Sequence, residues 1–314
     1  MEFRRLGNSG LQVSVVGLGT NNFGGRMDYE RTERLLSQVL DEGINFIDTA
    51  NIYGGGLSEE YIGKALKGKR SQVLLATKAG MKIGDGPNQT GASRMHIQEQ
   101  VEISLRKLQT DYIDLYQIHQ ADPNTPIEET LRTLDDLVRQ GKIRYIGCSN
   151  YAAWQVAEAM TTSKSLRMES FISVQPEYSM LNRTVEKELL ACYQNYNLGI
   201  LPYYPLFSGF LTGKYKRGKD VTEGTRLASN ARRAESTLTD ANFDIIEGLE
   251  AFAAKRGRQM VELAIAWLLA NPLVSSVIAG ATKPEQVIAN VKAADWSLTP
   301  EEMAELDSIL QNGL

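Results

Sequence analysis

The sequence predicts an α/β protein: a (β/α)8 TIM barrel with an N-terminal β-hairpin and extra C-terminal helices. Short runs rich in Val, Ile and Tyr alternate with longer segments whose apolar residues recur every three or four positions, and about eight such runs are present. This alternation indicates a parallel sheet, either doubly wound or closed. The regular spacing through roughly the first two hundred residues favours closure into a barrel.

The chain begins with a predicted hairpin. Two short apolar segments, 3–6 and 11–14, flank the turn residues Gly7-Asn8-Ser9-Gly10. We expect this hairpin to plug the bottom of the barrel. The predicted barrel strands then follow in chain order at residues 13–17, 44–47, 73–77, 112–117, 143–147, 172–174, 199–202 and 277–278.

Amphipathic segments predict the helices between these strands. Leu35, Leu36 and Val39 share one helical face, and similar patterns follow positions 94, 130 and 185. Two further helical runs follow position 242, are separated at Gly257 and end at Pro272. Segments 284–293 and 300–310 each begin with proline, which is favoured in the first turn of a helix.

Two long insertions interrupt this pattern. Segment 79–91 is rich in glycine, and segment 206–237 is polar and also contains glycine. Long loops in compact domains are often functional. Because both insertions follow predicted strands, we expect them to be lids over a site.

Composition limits the possible partners and the compartment. The 314 residues carry a net charge of −4 with acidic and basic residues well mixed, which argues against a nucleic-acid or membrane partner. Two scattered cysteines and the absence of an N-terminal signal core predict free thiols and a cytoplasmic protein. We found no repeat or linker, so residues 1–314 are predicted to form one domain. The sequence does not indicate an oligomeric state.

Polar residues stand where the predicted strands end. Because the carboxyl ends of parallel strands meet at one face of a barrel, we expect these side chains to converge. A random set of strand ends would contain more apolar residues. The residues are Asp48, Lys78, His119, Ser149, Asn150, Gln175, Tyr203 and Tyr204.

Tyr53 lies among glycines five residues after Asp48. A tyrosine with a pKa of about 10 is a weak acid near neutrality, but an adjacent ammonium would lower that pKa by roughly 1–3 units. Lys78 could supply the ammonium, with Asp48 holding it in place. Tyr53 could then donate a proton to a developing alkoxide, and His119 could orient the same oxygen or relay the proton. No nucleophile with an adjacent base is evident, which disfavours acyl transfer.

Each of these residues taken singly has an ordinary structural explanation. Asp48 could cap a turn, Tyr53 could lie on a surface rim, Lys78 could be a solvated charge and His119 a hydrogen-bonded core residue. Their joint occurrence at strand ends favours the functional interpretation.

Other motifs do not support alternative chemistry. Segment 17–22 lacks the third glycine of the dinucleotide fingerprint, and segment 209–215 is one residue short of a phosphate-binding loop. Two histidines and two cysteines argue against a zinc site, so no metal is expected.

The same residues carry a family resemblance. Phe46-Ile47-Asp48-Thr49-Ala50 with Tyr53-Gly54, Ala76-Thr77-Lys78 and Gln117-Ile118-His119 resemble the signature of the aldo-keto reductases, and further matches cover nearly the whole chain in order. The segment from Gly86-Pro87-Asn88 to Ser93-Arg94 is similar to the bacterial branch that also includes the potassium-channel β subunits. The resemblance implies reversible NAD(P)H-dependent reduction of aldehydes or ketones, with Tyr53 as general acid, Lys78 and Asp48 tuning it, and His119 orienting the substrate.

The resemblance also implies where ligands bind. NADP(H) is the preferred cofactor and NAD(H) a possible one. The implied cofactor-binding residues are Thr20, Ser149, Asn150, Gln175, Tyr203, Pro205, Leu206, Ser208, Leu211, Lys214, Gly280, Thr282, Lys283, Gln286 and Asn290. The expected substrate is a small, moderately hydrophobic carbonyl compound such as a sugar derivative or a polyketide-like ketone. Its pocket is expected to be walled by Asn22, Phe23, Met81, Tyr151 and Phe207.

The sequence departs from the family pattern at a few positions. Tyr204 replaces a common serine, Phe207 a common alanine and Ala289 a common acidic residue, and Ala281-Thr282-Lys283 differs from the usual phosphate clamp. Lys283 or Lys214 could still bind a 2′-phosphate. Two other functions stay open. One is a cofactor-sensing regulatory subunit with slow turnover. The other is a barrel lyase or sugar-modifying enzyme that uses Tyr53 and His119 for proton transfer without net redox chemistry.

Overall fold

The computed structural model describes residues 1–221 and 223–311. Within these ranges eight parallel strands follow one another around a sheet, with the last strand beside the first. Ser275 N–H donates to the Ile200 carbonyl and Ile278 N–H donates to the Pro202 carbonyl, both at 3.0 Å, which closes the sheet. The predicted (β/α)8 barrel is therefore confirmed. Its strands are β3 (Val16–Gly19), β4 (Phe46–Asp48), β5 (Leu74–Ala79), β6 (Ile113–Ile118), β7 (Ile143–Ser149), β8 (Ser173–Gln175), β9 (Gly199–Ile200) and β10 (Val277–Gly280).

Helices lie between the strands and after them. In the first helix, Tyr29–Asp41, the sequence explains both the start and the buried face. The Asp28 side chain accepts from Arg31 N–H at the N-terminus, and Leu35, Leu36 and Val39 form the buried face. The α-helices of the described residues are α1 (Tyr29–Asp41), α2 (Leu57–Ala65), α3 (Arg94–Leu108), α4 (Ile127–Arg139), α5 (Ala153–Leu166), α6 (Leu189–Asn195), α7 (Ala231–Thr237), α8 (Asp240–Lys255), α9 (Met260–Leu269), α10 (Pro284–Lys292) and α11 (Pro300–Gln311). None of these helices combines the length and apolar character that a bilayer crossing requires.

An antiparallel hairpin closes the N-terminal end of the barrel. It pairs β1 (Phe3–Arg5) with β2 (Gln12–Ser14). Leu6 and Val13 are fully buried among apolar side chains of the barrel interior. Gly7 has φ 55°, and a Cβ there would lie 2.1 Å from the Ile172 carbonyl, so only glycine fits this close approach. The hairpin therefore fills this end of the barrel.

The predicted strand 13–17 is divided between the hairpin and the barrel. Val15 lies at the division: its N–H donates to the Glu2 carbonyl at 3.1 Å, while its carbonyl accepts from Val277 N–H at 2.8 Å. One apolar run thus contributes residues to both the hairpin and the barrel. Periodicity in the sequence does not show where its hydrogen bonds change from one sheet to the other.

The second insertion also contains regular structure. Phe207–Thr212 forms 3-10 turns, and α7 occupies the end of the insertion. The first insertion is drawn together at its base, where Gly91 N–H donates to the Gly80 carbonyl at 2.9 Å.

A buried carboxylate ties β6 to its neighbours on the outer face of the barrel. Asp114 is 1% exposed, and its Oδ2 accepts from Arg70 Nη2 at 2.6 Å and from Leu75 N–H at 2.9 Å. Its Oδ1 accepts from Arg144 Nη1 at 3.0 Å. Because both of its oxygens accept hydrogen bonds, Asp114 is expected to contribute to stability rather than to chemistry.

Candidate active site

A cleft of about 1050 Å³ opens at the carboxyl ends of the barrel strands, opposite the hairpin. Most of the site residues expected from the sequence line it. They are Asn22, Asp48, Tyr53, Met81, His119, Ser149, Asn150, Gln175, Tyr203, Pro205, Leu206, Ser208, Lys214, Gly280, Thr282, Lys283, Gln286 and Asn290.

Lys78 lies beneath the cleft floor and is fully buried. Its Nζ donates to Asp48 Oδ2 at 2.7 Å and to the Thr49 carbonyl at 2.8 Å. Burial alone would lower the pKa of Lys78, but Asp48 and then Tyr53 outweigh that effect and raise the pKa above its ordinary value. The lysine is therefore a charged group whose position is fixed by the carboxylate.

Tyr53 stands in a 3-10 turn, Tyr53–Gly56, that follows β4. Gly54 and Gly56 have φ of 59° and 93°, and a Cβ at Gly54 would lie 2.5 Å from the Phe23 carbonyl. These glycines let the turn fold back so that the Tyr53 ring centroid lies 5.2 Å from Lys78 Nζ.

The pKa of Tyr53 differs from the sequence expectation. Burial raises this pKa, and the opposing effect of the Lys78 ammonium is smaller, so the net direction is upward. The ammonium acts with the expected sign, but its effect on the pKa of Tyr53 is smaller than that of burial. Tyr53 is consequently a protonated phenol at neutral pH.

His119 directly follows β6 and lies beside Tyr53, with the two ring centroids 6.0 Å apart. Burial, reinforced by the Lys78 charge, lowers the pKa of His119 to about 3. Its Nδ1 has no hydrogen-bond partner among the described residues. The imidazole is therefore neutral at physiological pH and can form a hydrogen bond without carrying charge.

The polar residues at the ends of β7 and β8 are joined in a chain of hydrogen bonds. Tyr203 OH donates to Asn150 Oδ1 at 2.9 Å, and Asn150 Nδ2 donates to the His119 carbonyl at 2.9 Å. Ser149 Oγ donates to the Gln175 carbonyl at 2.7 Å. Gln175 Nε2 donates in turn to Asp48 Oδ1 at 2.9 Å. This wall of the cleft is therefore a preformed set of amide and hydroxyl groups.

The other end of the cleft is basic. Lys214 and Lys283 both line it, and no ion pair joins either of them to a carboxylate within the described part of the chain. Gln286 accepts from Thr282 N–H at 2.8 Å, which orders the start of α10. Such an arrangement suits an elongated ligand with amide groups at one end and negative charge at the other.

Some expected residues lie away from the cleft surface. Phe23 is fully buried, and Tyr151 is 7% exposed and packs edge-on against Phe171, so neither forms the predicted substrate wall. Phe207 lies under the Arg233 guanidinium, 4.9 Å from its ring centroid. Thr20 and Leu211 are also buried, and Thr20 supports the site by donating to the Asp48 carbonyl at 2.9 Å. These residues were expected from the family resemblance or from their positions in loops, but tertiary packing determines which side chains face the cleft.

Two residues at the site were given no role in the sequence analysis. Gln117 Nε2 donates to Asp48 Oδ1 at 3.1 Å; the residue was named only as part of the Gln117-Ile118-His119 motif and as a polar residue within an apolar strand. Arg226 donates to Asn21 Oδ1 at 2.8 Å, and its guanidinium lies 5.1 Å from the Tyr204 ring centroid. Arg226 belongs to the second insertion, where no periodicity indicates position.

Comparison with known proteins supplies independent information. Residues 15–311 match the sequence model of the Aldo/keto reductase family. The chain is 36% identical to Aldo-keto reductase YhdN of Bacillus subtilis, over 99% of this chain and 94% of that protein. It is 33% identical to L-glyceraldehyde 3-phosphate reductase of Escherichia coli K12, over 100% and 93%. It is 38% identical to a probable voltage-gated potassium channel subunit beta of Oryza sativa, over 99% and 97%.

Proposed function

Because the chain belongs to the aldo/keto reductase family, we propose that it reduces aldehydes or ketones to alcohols with hydride from NADPH and a proton from Tyr53. Oxidoreductase chemistry with a nicotinamide cofactor is general in the family. The observation that carries the finer proposal is the cluster of Asp48, Lys78, Tyr53 and His119 at the floor of the cleft.

Tyr53 is suited to the role of proton donor. Its phenol keeps its proton at neutral pH because burial raises its pKa. The Lys78 ammonium lies 5.2 Å from the ring and would stabilise the phenolate left after proton transfer. Asp48 keeps that ammonium charged and in place through the 2.7 Å ion pair. These three residues would thus act as one unit.

His119 is suited to orienting the carbonyl group. A neutral imidazole next to Tyr53 can hydrogen-bond the carbonyl oxygen without competing for the transferred proton. Its Nδ1 is buried without a partner among the described residues, so Nε2 is the ring nitrogen that would meet a substrate oxygen. We assign it the positioning of the substrate oxygen.

The cleft fits a nicotinamide dinucleotide. Ser149, Asn150 and Gln175 offer amide and hydroxyl groups that match a carboxamide, and Tyr203 lies beside them. Lys214 and Lys283 would face the phosphates at the other end, and the cationic Lys283 is the basis for preferring NADPH over NADH. When bound, the cofactor supplies the hydride.

We also infer a cytoplasmic location. Cys148 and Cys192 are free thiols, as expected for a reducing compartment.

A second candidate function has support from one comparison. The rice relative is named a probable potassium channel subunit beta and is similar over nearly its whole length. A cofactor-sensing regulatory subunit would keep the same four residues but turn over slowly. Tight cofactor binding without steady turnover would favour this second function.

The test follows the loss of NADPH or NADH absorbance with a panel of aldehydes and ketones that includes nitrobenzaldehyde. We expect turnover in the parent protein and, in Tyr53→Phe, a kcat lower by at least about 100-fold with NADPH affinity retained. Tyr53→Phe removes one oxygen atom from a ring that keeps its shape, so a changed fold would not explain the loss. Equal kcat in both proteins would exclude Tyr53 as the proton donor.

A further inference from the structure

Gln117 is a fully buried amide beneath the site, and the proposed function does not use it. It lies on β6, two residues before His119, and is not among the cleft-lining residues. Its Nε2 donates to Asp48 Oδ1 at 3.1 Å, while its Oε1 has no partner in the described part of the chain. Burying an amide is costly unless its hydrogen bonds compensate, so its contact with Asp48 needs an explanation.

The barrel makes room for this side chain. In the strand register Gln117 lies opposite Lys78 on one side and Gly147 on the other, and Gly147 lies opposite Ser173. A Cβ at Gly147 would lie 3.4 Å from Gln117 Cγ and only 2.4 Å from Ser173 Oγ. The missing side chain at position 147 therefore creates the space in which Gln117 and Ser173 sit.

Asp48 uses its two carboxylate oxygens differently. Oδ2 accepts from Lys78 Nζ, whereas Oδ1 accepts from two amides, Gln117 and Gln175. Gln175 lines the cleft and, under the proposed function, would also hold the nicotinamide carboxamide. Gln117 is out of reach of any ligand in the cleft. Of the two amide bonds to Oδ1, only the bond from Gln117 is therefore independent of what the cleft contains.

We propose that Gln117 is a positioning residue that fixes the plane of the Asp48 carboxylate, so that Oδ2 stays on Lys78 when a ligand engages Gln175. The inference deepens the proposed function and rests on it. Hydrogen bonds to a carboxylate are stronger than those between neutral groups, so one fixed amide can hold its orientation. Without Gln117, the Asp48 carboxylate would rotate whenever Gln175 moves. Because Lys78 is hydrogen-bonded to Oδ2 of that carboxylate, its ammonium would then move away from Tyr53.

The first test compares Gln117→Leu with Ser173→Ala. The leucine has a similar size but no donor, and we expect kcat to fall about 10- to 100-fold with little change in the KM for the carbonyl substrate. Ser173→Ala is the matched control because Ser173 is buried in the same layer and its Oγ has no partner among the described residues. We expect kcat of this control within about twofold of the parent.

The second test uses Gln117→Glu and the pH dependence of kcat. The introduced carboxyl can donate to Asp48 Oδ1 when protonated and repels Asp48 when ionised. Burial and Asp48 raise its pKa above the ordinary value of about 4.3; the Lys78 ammonium on the neighbouring strand opposes them, but its charge is already paired with Asp48. We expect kcat near the parental value at low pH and a decline of about tenfold per pH unit above that pKa. A purely structural role for Gln117 would not produce this profile.

The third test measures NADPH binding by fluorescence for Gln117→Leu, Gln175→Leu and the double variant. In Gln117→Leu, Gln175 is the one amide that still donates to Asp48 Oδ1. A ligand that engages Gln175 then weakens the remaining bond, so NADPH binding becomes less favourable. We expect Gln117→Leu to weaken NADPH binding about 3- to 10-fold in the parent and less than about twofold in the Gln175→Leu background. Equal effects in both backgrounds would contradict the coupling.

These outcomes separate the inference from the proposed function. If the parent turns over and Tyr53→Phe does not, parental kcat and an unchanged pH profile in the Gln117 variants overturn the inference alone. If Gln117→Leu does not fold, the pH profile of Gln117→Glu decides: the decline supports the role, and a parental profile refutes it. If the parent binds NADPH without turnover, the proposed reduction is wrong. The NADPH affinities of Gln117→Leu, Gln175→Leu and the double variant then test the positioning role of Gln117.

Discussion

His119 permits a quantitative test of the electrostatics at the site. Its pKa is lowered to about 3 in the folded protein, because the ring is buried and lies near the Lys78 charge. In the unfolded chain the same group has its ordinary pKa of about 6.5. Below pH 6.5 the unfolded chain therefore binds a proton that the folded protein does not. The contribution of His119 to the free energy of unfolding is therefore fully present above pH 6.5 and is lost progressively as the pH falls toward 3.

The size of the loss follows from the two pKa values. One pKa unit corresponds to about 1.4 kcal/mol, so the full loss approaches about 5 kcal/mol at pH 3. Between pH 7 and pH 5 the proton binding of the unfolded imidazole accounts for about 2 kcal/mol. His119→Asn removes the titrating group and with it this part of the pH dependence.

The assay is urea unfolding of the cofactor-free parent and His119→Asn at pH 7 and pH 5. Packing changes in the variant shift its free energy of unfolding equally at both pH values. The comparison therefore uses the change in this free energy between pH 7 and pH 5. We expect the free energy of unfolding of the parent to fall by about 2 kcal/mol more than that of the variant. Equal falls would show that the folded imidazole titrates normally, and the neutral orienting role assigned to it would then lack its basis.

Two further predictions concern the cofactor and the fold. Lys283→Ala should weaken NADPH binding about tenfold and NADH binding less than twofold, as measured by fluorescence titration, because only NADPH carries the 2′-phosphate; equal weakening would remove Lys283 from the phosphate site. Asp114→Ala should lower the free energy of unfolding by about 3 kcal/mol, because it leaves Arg70 and Leu75 N–H without their buried acceptor. Asp111→Ala, at an exposed aspartate three residues away, is the matched control with an expected change below about 0.5 kcal/mol.

The floor of the site could be predicted from the sequence because strand ends have a fixed geometry. An apolar run that ends in a polar residue places that residue at the carboxyl edge of a parallel barrel, and Asp48 and His119 lie there. Lys78 is likewise a polar residue near the carboxyl end of a strand whose other residues, such as Ala76 and Ala79, are buried. The barrel itself followed from alternation and spacing in the same way.

The rest of the site depends on packing that periodicity does not encode. Phe23 and Tyr151 lie in loops near the cleft, yet both side chains turn into the core. Arg226 reaches the cleft from an insertion whose residues give no positional signal. The pKa of Tyr53 shows the same limit: the sequence indicated the neighbouring charge but not the depth of burial, and burial has the larger effect.

The charges of the resting site explain why a buried lysine suits the proposed reaction. Asp48 and Lys78 form a neutral pair, and Tyr53 and His119 are both uncharged at neutral pH. A neutral carbonyl compound therefore gains little from Lys78 on binding. As negative charge develops on its oxygen and passes to the Tyr53 oxygen, the nearby ammonium gains a partner in a region with little screening by water. The stabilisation thus appears in the transition state rather than in the ground state, which is the condition for raising kcat.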